Sequence, residues 1–196
     1  MTVRYVALGD SYTIGTAVDP SDAFPSRLAA AVDGLELVAN LGVNGYATAD
    51  LIRDELPALA ELEPGFVTLL VGANDVVQGV PLARYEANVM VILDALLAEV
   101  PADRVVVVTV PDYTVTPAGA DYGDPVERSA GIRAVNAAMT WLARERGLAV
   151  VDIHDVSLEA ASDRSLVAAD GLHPSGAQYA RWVERLAPVV RVALSA

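Results

Sequence analysis

The chain has 196 residues, with 13 Lys and Arg against 26 Asp and Glu, a formal net charge of −13, 54% hydrophobic residues and no cysteine. That length suits one domain over residues 1–196, which buries roughly 70% of its unfolded surface and needs no disulfide or structural metal to hold its core. The charge argues against general nucleic-acid binding and against stable association with anionic membranes, while the missing cysteine removes thiol nucleophiles, Cys-ligated zinc, iron–sulfur clusters and disulfide scaffolds.

The first ten residues are apolar over too short a stretch for a signal peptide and run into Gly9-Asp10, which makes the cytoplasm the expected location. Residues 3–8 form the first of five short β-branched runs that end near Gly, Asn or Asp; the others are 35–39, 66–71, 104–110 and 148–153. None approaches the length of a bilayer span. Pro25 and Pro81 stand where helices tolerate proline, in a first turn, and Thr48 is suited to cap a helix starting at Ala49. Leu82, Tyr85, Val89, Leu93 and Leu96 share one helical face, as do Tyr179, Trp182, Val183, Leu186 and Val190. Continuously apolar runs alternating with helices predict a three-layer α/β domain with a parallel sheet covered on both sides. Two connections exceed what the fold needs: residues 111–124, with two Pro, two Gly and two Tyr, and residues 154–174, with a short helix expected near 157–162. Long loops in small domains tend to bind ligands, and ligands in open parallel sheets sit beyond the carboxyl ends of the strands.

The residues just past those ends are Gly9-Asp10-Ser11-Tyr12, then Asn40 to Gly45, then Gly72-Ala73-Asn74-Asp75, and, after the second long loop, Asp170-Gly171-Leu172-His173-Pro174. Each fragment alone reads as turn chemistry. Together they supply the parts for acyl transfer. A serine hydroxyl needs a base, His is suited to that task, and the base needs an orienting carboxylate, which Asp170 provides three residues before His173. The tetrahedral intermediate needs donors, and the Ser11 and Gly45 N–H groups and the Asn74 amide fit an oxyanion hole converging from a 2-1-3 strand order.

At these four blocks the sequence resembles the SGNH (GDSL-type) serine hydrolases. Tyr12 stands where that family usually has Leu, and Asn44 stands where Ser is common before the glycine; both departures touch pocket shape more than chemistry. The resemblance implies a flavodoxin-like fold with strand order 2-1-3-4-5, Ser11 as nucleophile, His173 as base, Asp170 as its partner, and Ser11, Gly45 and Asn74 as the oxyanion hole. It implies a small-molecule ester substrate and no cofactor or metal. The family includes lysophospholipases, thioesterases, short-chain esterases and carbohydrate deacetylases, and the same blocks serve them all. The Gly-x-Ser-x-Gly elbow of the larger α/β-hydrolases is absent around Ser11.

Tyr12, Ile14, Tyr46, Val76, Val77, Tyr113 and Leu172 neighbour these blocks and are expected to line an apolar acyl or alcohol pocket. Asp10 and Asp75 read as short carboxylates that fix loop N–H groups, and His154 as a turn residue rather than a metal ligand. Most of the net charge reads as a solvated helix surface. Two readings of other classes compete: a metal-dependent phosphoesterase, for which Asp and His fall in the wrong order, and a binding domain without turnover, against which the intact Ser-His-Asp set argues.

Overall fold

Val, Leu and Phe crowd the sheet because both faces of each central strand are covered, and β-branched side chains suit that pleated surface. The computed structural model describes residues 2–195. Strands β1 (Val3–Gly9), β2 (Leu35–Asn40), β3 (Phe66–Leu70), β4 (Val105–Val108) and β5 (Ala149–Val151) pair in the order β2-β1-β3-β4-β5, every pair parallel. Tyr5 to Leu8, Phe66 to Leu70 and Val105 to Val108 are buried throughout. The helices are α1 (Ser11–Ile14), α2 (Phe24–Ala31), α3 (Thr48–Asp54), α4 (Leu56–Leu62), α5 (Ala73–Val77), α6 (Leu82–Glu99), α7 (Pro125–Glu145), α8 (His154–Leu158) and α9 (Gly176–Ser195). They pack as two groups, α2 with α8 and α9, and α3 to α7 with one another. Right-handed crossovers put these groups on opposite faces of the sheet. No described helix is long and apolar enough to cross a membrane.

The strand order is the expected one, and the details depart from it locally. Strand β4 stops at Val108, before the expected end, where the Thr109 hydroxyl turns to donate to Asp152 Oδ1 at 2.8 Å. Helix α3 begins at Thr48 itself. The Asp50 carboxylate accepts the Ala47 N–H at 3.0 Å, and Thr48 Oγ1 donates away from the helix to Asp75 Oδ1 at 2.5 Å, so Thr48 is no cap. The helix expected near 157–162 lies earlier, as α8 followed by a 3₁₀ turn over Glu159–Ala161, because Asp152 Oδ1 accepts the His154 N–H and starts it. On α6, Tyr85, Val89, Leu93 and Leu96 are fully buried, but Leu82 is 42% exposed, since it opens the helix before the chain turns inward. The face of α9 is buried as expected.

Candidate active site

The ends of β1 and β2 are laced together by backbone and side-chain hydrogen bonds. Leu41 N–H donates to Ala7 O and Val43 N–H to Gly9 O, while Asn40 Nδ2 reaches Thr13 O at 2.8 Å and its Oδ1 accepts the Gly42 N–H. Asp10 caps α1 by accepting the Tyr12 N–H at 3.0 Å, which puts Ser11 in the first turn, 8% exposed. Tyr179 on α9 donates its hydroxyl to Tyr12 O at 2.9 Å, tying this turn to the opposite helix layer. Gly45 holds φ +81 in the turn after β2. On α5, Asn74 Nδ2 donates to Tyr46 O at 3.0 Å, which occupies one of its two amide hydrogens. Among the described residues, no acceptor takes the Ser11 or Gly45 N–H.

The fourth block closes over these three. A bridge between Val167 and Pro174 and the bond from Ala168 N–H to His173 O fold the loop after α8 back on itself. Within it, Asp170 Oδ1 accepts the N–H groups of Leu172 and His173 at 2.9 and 3.0 Å, and its Oδ2 stands 2.5 Å from His173 Nδ1. Burial alone would raise the Asp170 carboxyl, but the bonds from the His173 ring and from these two N–H groups outweigh it and hold the group below the usual carboxylate range. The imidazole is therefore fixed by a carboxylate that stays ionised, with Nδ1 spent on Asp170 and Nε2 left for other work. The Tyr12 ring lies against that of His173, centroids 5.6 Å apart.

Ser11, Gly45, Asn74 and His173 line one cleft of 210 Å³, together with Tyr12, Thr16, Asn44, Ala73, Val77, Tyr113, Tyr122 and Leu172. Three residues expected there stand outside it. Ile14 is 38% exposed, and Tyr46 turns its hydroxyl to Asp54 Oδ2 at 2.7 Å and gives only its carbonyl to Asn74. Val76 faces a separate groove with Leu82 and Arg128. Helical rotation explains Val76: on the short α5 it points away from its neighbours Asn74 and Val77. Sequence reasoning missed Thr16, Ala73 and Tyr122 as lining residues. Thr16 and Asn44 close one rim through a hydrogen bond between their side chains, and Tyr122 meets Tyr113 edge-on at 6.0 Å. Both tyrosines come from the connection 111–124, which was already marked by its length. Two 3₁₀ turns, Tyr113–Val115 and Gly119–Tyr122, shape it, and Asp112 anchors it by accepting from Thr114 N–H and from Ser129 Oγ.

The other buried carboxylates lie behind the cleft. Asp75 accepts from Thr48 N–H and Oγ1, and burial raises its pKa. Glu55, at the junction of α3 and α4, accepts the Gly9 N–H at 2.9 Å and is only 3% exposed. Nothing in its sequence setting, Arg53-Asp54-Glu55, distinguishes it from a helix-surface charge. His154 sits away from the cleft, with Nε2 3.8 Å from Asp112 Oδ2. Among the described residues, no three His, Asp or Glu side chains group in a way that could hold a metal ion.

The family model described as "GDSL-like Lipase/Acylhydrolase family" matches residues 7–181, a span that contains Ser11, Gly45, Asn74, Asp170 and His173. The chain belongs to this family. It is accordingly a hydrolase acting on esters. Solved structures similar to it include a member of the lipolytic G-D-S-L family from Veillonella parvula, with 18% identity, 95% of this chain and 97% of that chain covered, and a TM-score of 0.78. The W215I form of Axe2, an acetyl xylan esterase from Geobacillus stearothermophilus, has 20% identity, covers 96% and 94%, and scores 0.75. LAE5, an alpha/beta hydrolase enzyme from the metagenome of Lake Arreo, Spain, has 20% identity, covers 98% and 95%, and scores 0.73. At these identities the likeness is one of fold. No curated protein matches this sequence. For a GDSL-like hydrolase the departures are those already visible in the chain: Tyr12 is 4% exposed and packs on His173, and Asn44 lines the rim with Thr16.

Proposed function

We propose that the protein hydrolyses short-chain, uncharged carboxylic esters through an acyl-enzyme on Ser11. His173 Nε2 takes the Ser11 proton as Oγ attacks the ester carbonyl, then gives it to the departing alcohol; water attacks the acyl-enzyme in the second half, with His173 again as base. Asp170 keeps the ring oriented and stabilises its charged form. The Ser11 and Gly45 N–H groups and the second Asn74 amide hydrogen receive the oxyanion. The observation that carries the reading is the Asp170–His173 contact of 2.5 Å, locked by two backbone N–H groups, in a cleft that also holds Ser11.

The substrate range follows from the cleft. Its 210 Å³ is below the roughly 300 Å³ at which drug-sized ligand sites begin, which suits an acetyl to butyryl group better than a long lipid chain. Its described lining contains no arginine, so nothing there favours an anionic head group. A thioester of the same acyl size would meet the same groups. A sugar acetate is the second reading, supported by the small cleft and by the fold shared with a protein described as an acetyl xylan esterase.

The experiment is a panel of p-nitrophenyl esters from acetate to palmitate, with acetylated sugars beside it. Expected are turnover falling beyond butyrate, loss of activity in Ser11→Ala, and no effect of a chelator. Chelator-sensitive phosphatase activity that survives Ser11→Ala would refute the reading in favour of a phosphoesterase. Saturable binding of a sugar or lipid without turnover of any ester would refute it in favour of a binding domain.

A further inference from the structure

Two carboxyl groups grip the backbone that carries Ser11. Glu55 Oε2 accepts the Gly9 N–H at 2.9 Å, and Asp10 Oδ1 accepts the Tyr12 N–H at 3.0 Å. Gly9 is the last residue of β1, so Glu55 supplies from another element the acceptor that a neighbouring strand would otherwise give. Each acid also has a second oxygen, Glu55 Oε1 and Asp10 Oδ2, that is buried and has no hydrogen-bond partner among the described residues.

The groups facing this pair make matters harder for a charge. Asp54 on α3 and Asp75 on α5 are acidic, and Tyr12 on α1, Tyr85 on α6 and Tyr179 on α9 are neutral phenols that feel the Asp10 charge. The nearest arginine in sequence, Arg53, is spent on Asp50 and Asp54. Neither Asp10 nor Glu55 has an ion pair among the described residues. An isolated buried carboxylate is costly, and such a group keeps its proton instead. In keeping with that, burial pushes Glu55 up to about 8 and Asp10 up to about 7.

We infer that Glu55 is a positioning residue for the nucleophile turn and acts as a neutral acid, with Oε2 holding the Gly9 N–H and Oε1 carrying the proton. The inference rests on Ser11 being the nucleophile. Ionised, Glu55 would set an uncompensated negative charge against Gly9, two residues before Ser11, and would oppose the negative charge that develops in the transition state. Neutral, it supplies the same acceptor without that field.

The test is the pH profile of kcat/KM on p-nitrophenyl acetate from pH 5 to 10 for wild type, Glu55→Gln and Glu55→Ala. Wild type is expected to lose about tenfold across an alkaline limb, the scale of one unscreened charge at partly buried range. Glu55→Gln keeps the acceptor but cannot ionise, so it retains the neutral-pH rate and lacks the limb. Glu55→Ala, folded by circular dichroism, loses about tenfold at every pH because the Gly9 N–H is orphaned. A limb that persists in Glu55→Gln, or that vanishes only in Asp10→Asn, overturns the inference. So does a Gln variant as impaired as Ala, which would mean that the charged form is the working one. Ser11→Ala run alongside separates the two claims: turnover surviving there defeats the serine mechanism whatever the Glu55 variants do. Thermal unfolding of wild type and Glu55→Gln across the same pH range reads the buried proton without any turnover, and parallel curves would overturn the inference.

Discussion

Replacing Gly9 by Ala tests how closely the fold and the nucleophile are coupled. Gly9 has φ +150 and pairs with Leu70 across β1 and β3; an added methyl carbon would lie 2.0 Å from Leu70 O and 2.4 Å from Thr13 Oγ1. Thr13 can rotate away, but Leu70 O belongs to a central strand, so the two strand ends must part by about 1 Å. Overpacking a core costs about 1–3 kcal/mol, and a residue forced into a sparsely populated backbone region adds about 1–3 more. The total, about 2–6 kcal/mol, is a large part of the roughly 5–15 kcal/mol that holds a domain together. In urea denaturation, with a slope of about 2 kcal/mol per M, the midpoint should fall by about 1–3 M at unchanged slope. The folded fraction should also lose about a hundredfold in kcat, because Ser11 follows by two residues and a 1 Å misplacement carries that cost. Gly45→Ala is the contrast. It shares a positive φ, at +81, but an added carbon there meets nothing within 4 Å, so it should cost only about 1–2 kcal/mol. A Gly9→Ala protein with a midpoint within about 0.3 M of wild type and full activity would refute the argument.

Asp170→Asn should fold normally, since the amide oxygen can still accept the Leu172 and His173 N–H groups, yet lose about 10³–10⁴ in kcat with little change in KM. Steady-state kinetics check this, and a loss under tenfold would remove Asp170 from the mechanism. Asn74→Ala should lose about a hundredfold or more in kcat as an oxyanion donor, and normal kcat would exclude that role. The raised acids set a stability trend of definite sign. Native Glu55 binds its proton up to about pH 8 whereas an unfolded Glu releases it near 4.5, so stability is full below that value, falls as pH rises toward 8 and then levels. The drop due to Glu55 is on the order of 5 kcal/mol at about 1.4 kcal/mol per unit. Thermal midpoints from pH 5 to 9 should therefore show Glu55→Gln gaining on wild type as pH rises, and a constant difference would contradict it. Asp170, held below the usual range, works the other way: its contribution is present above the ordinary carboxylate range and is lost in acid.

Acidic composition concealed two different populations. Most carboxylates are on the surface, as the charge suggested, and several pair with arginines there, such as Asp94 with Arg146. Asp10, Glu55, Asp75 and Asp112 are instead buried, each holding backbone N–H or hydroxyl groups. For Asp10 and Asp75 that behaviour follows from their place in turns after strands. Glu55 gave no such signal, because its partner Gly9 is 46 residues away.

The sequence by itself determined the five strands of one parallel sheet and the four blocks at their carboxyl ends, and the family resemblance implied the order β2-β1-β3-β4-β5 that the structure has. Those features are local or periodic: a β-branched run announces a doubly covered strand, and three residues of spacing suffice for Asp170 to reach the His173 ring. Tertiary structure alone decided which apolar neighbours line the cleft, that Thr48 serves Asp75 instead of capping its helix, that Thr16 and Asn44 close a rim, and that Glu55 lies beneath the nucleophile turn. Each of these depends on how two elements distant in the chain rotate against one another. Periodicity gives the face that a residue occupies, but the packing of the other element fixes what that face meets. The −13 charge therefore fixed no more than the sign of the surface; the fold selected the few acids that were to be buried.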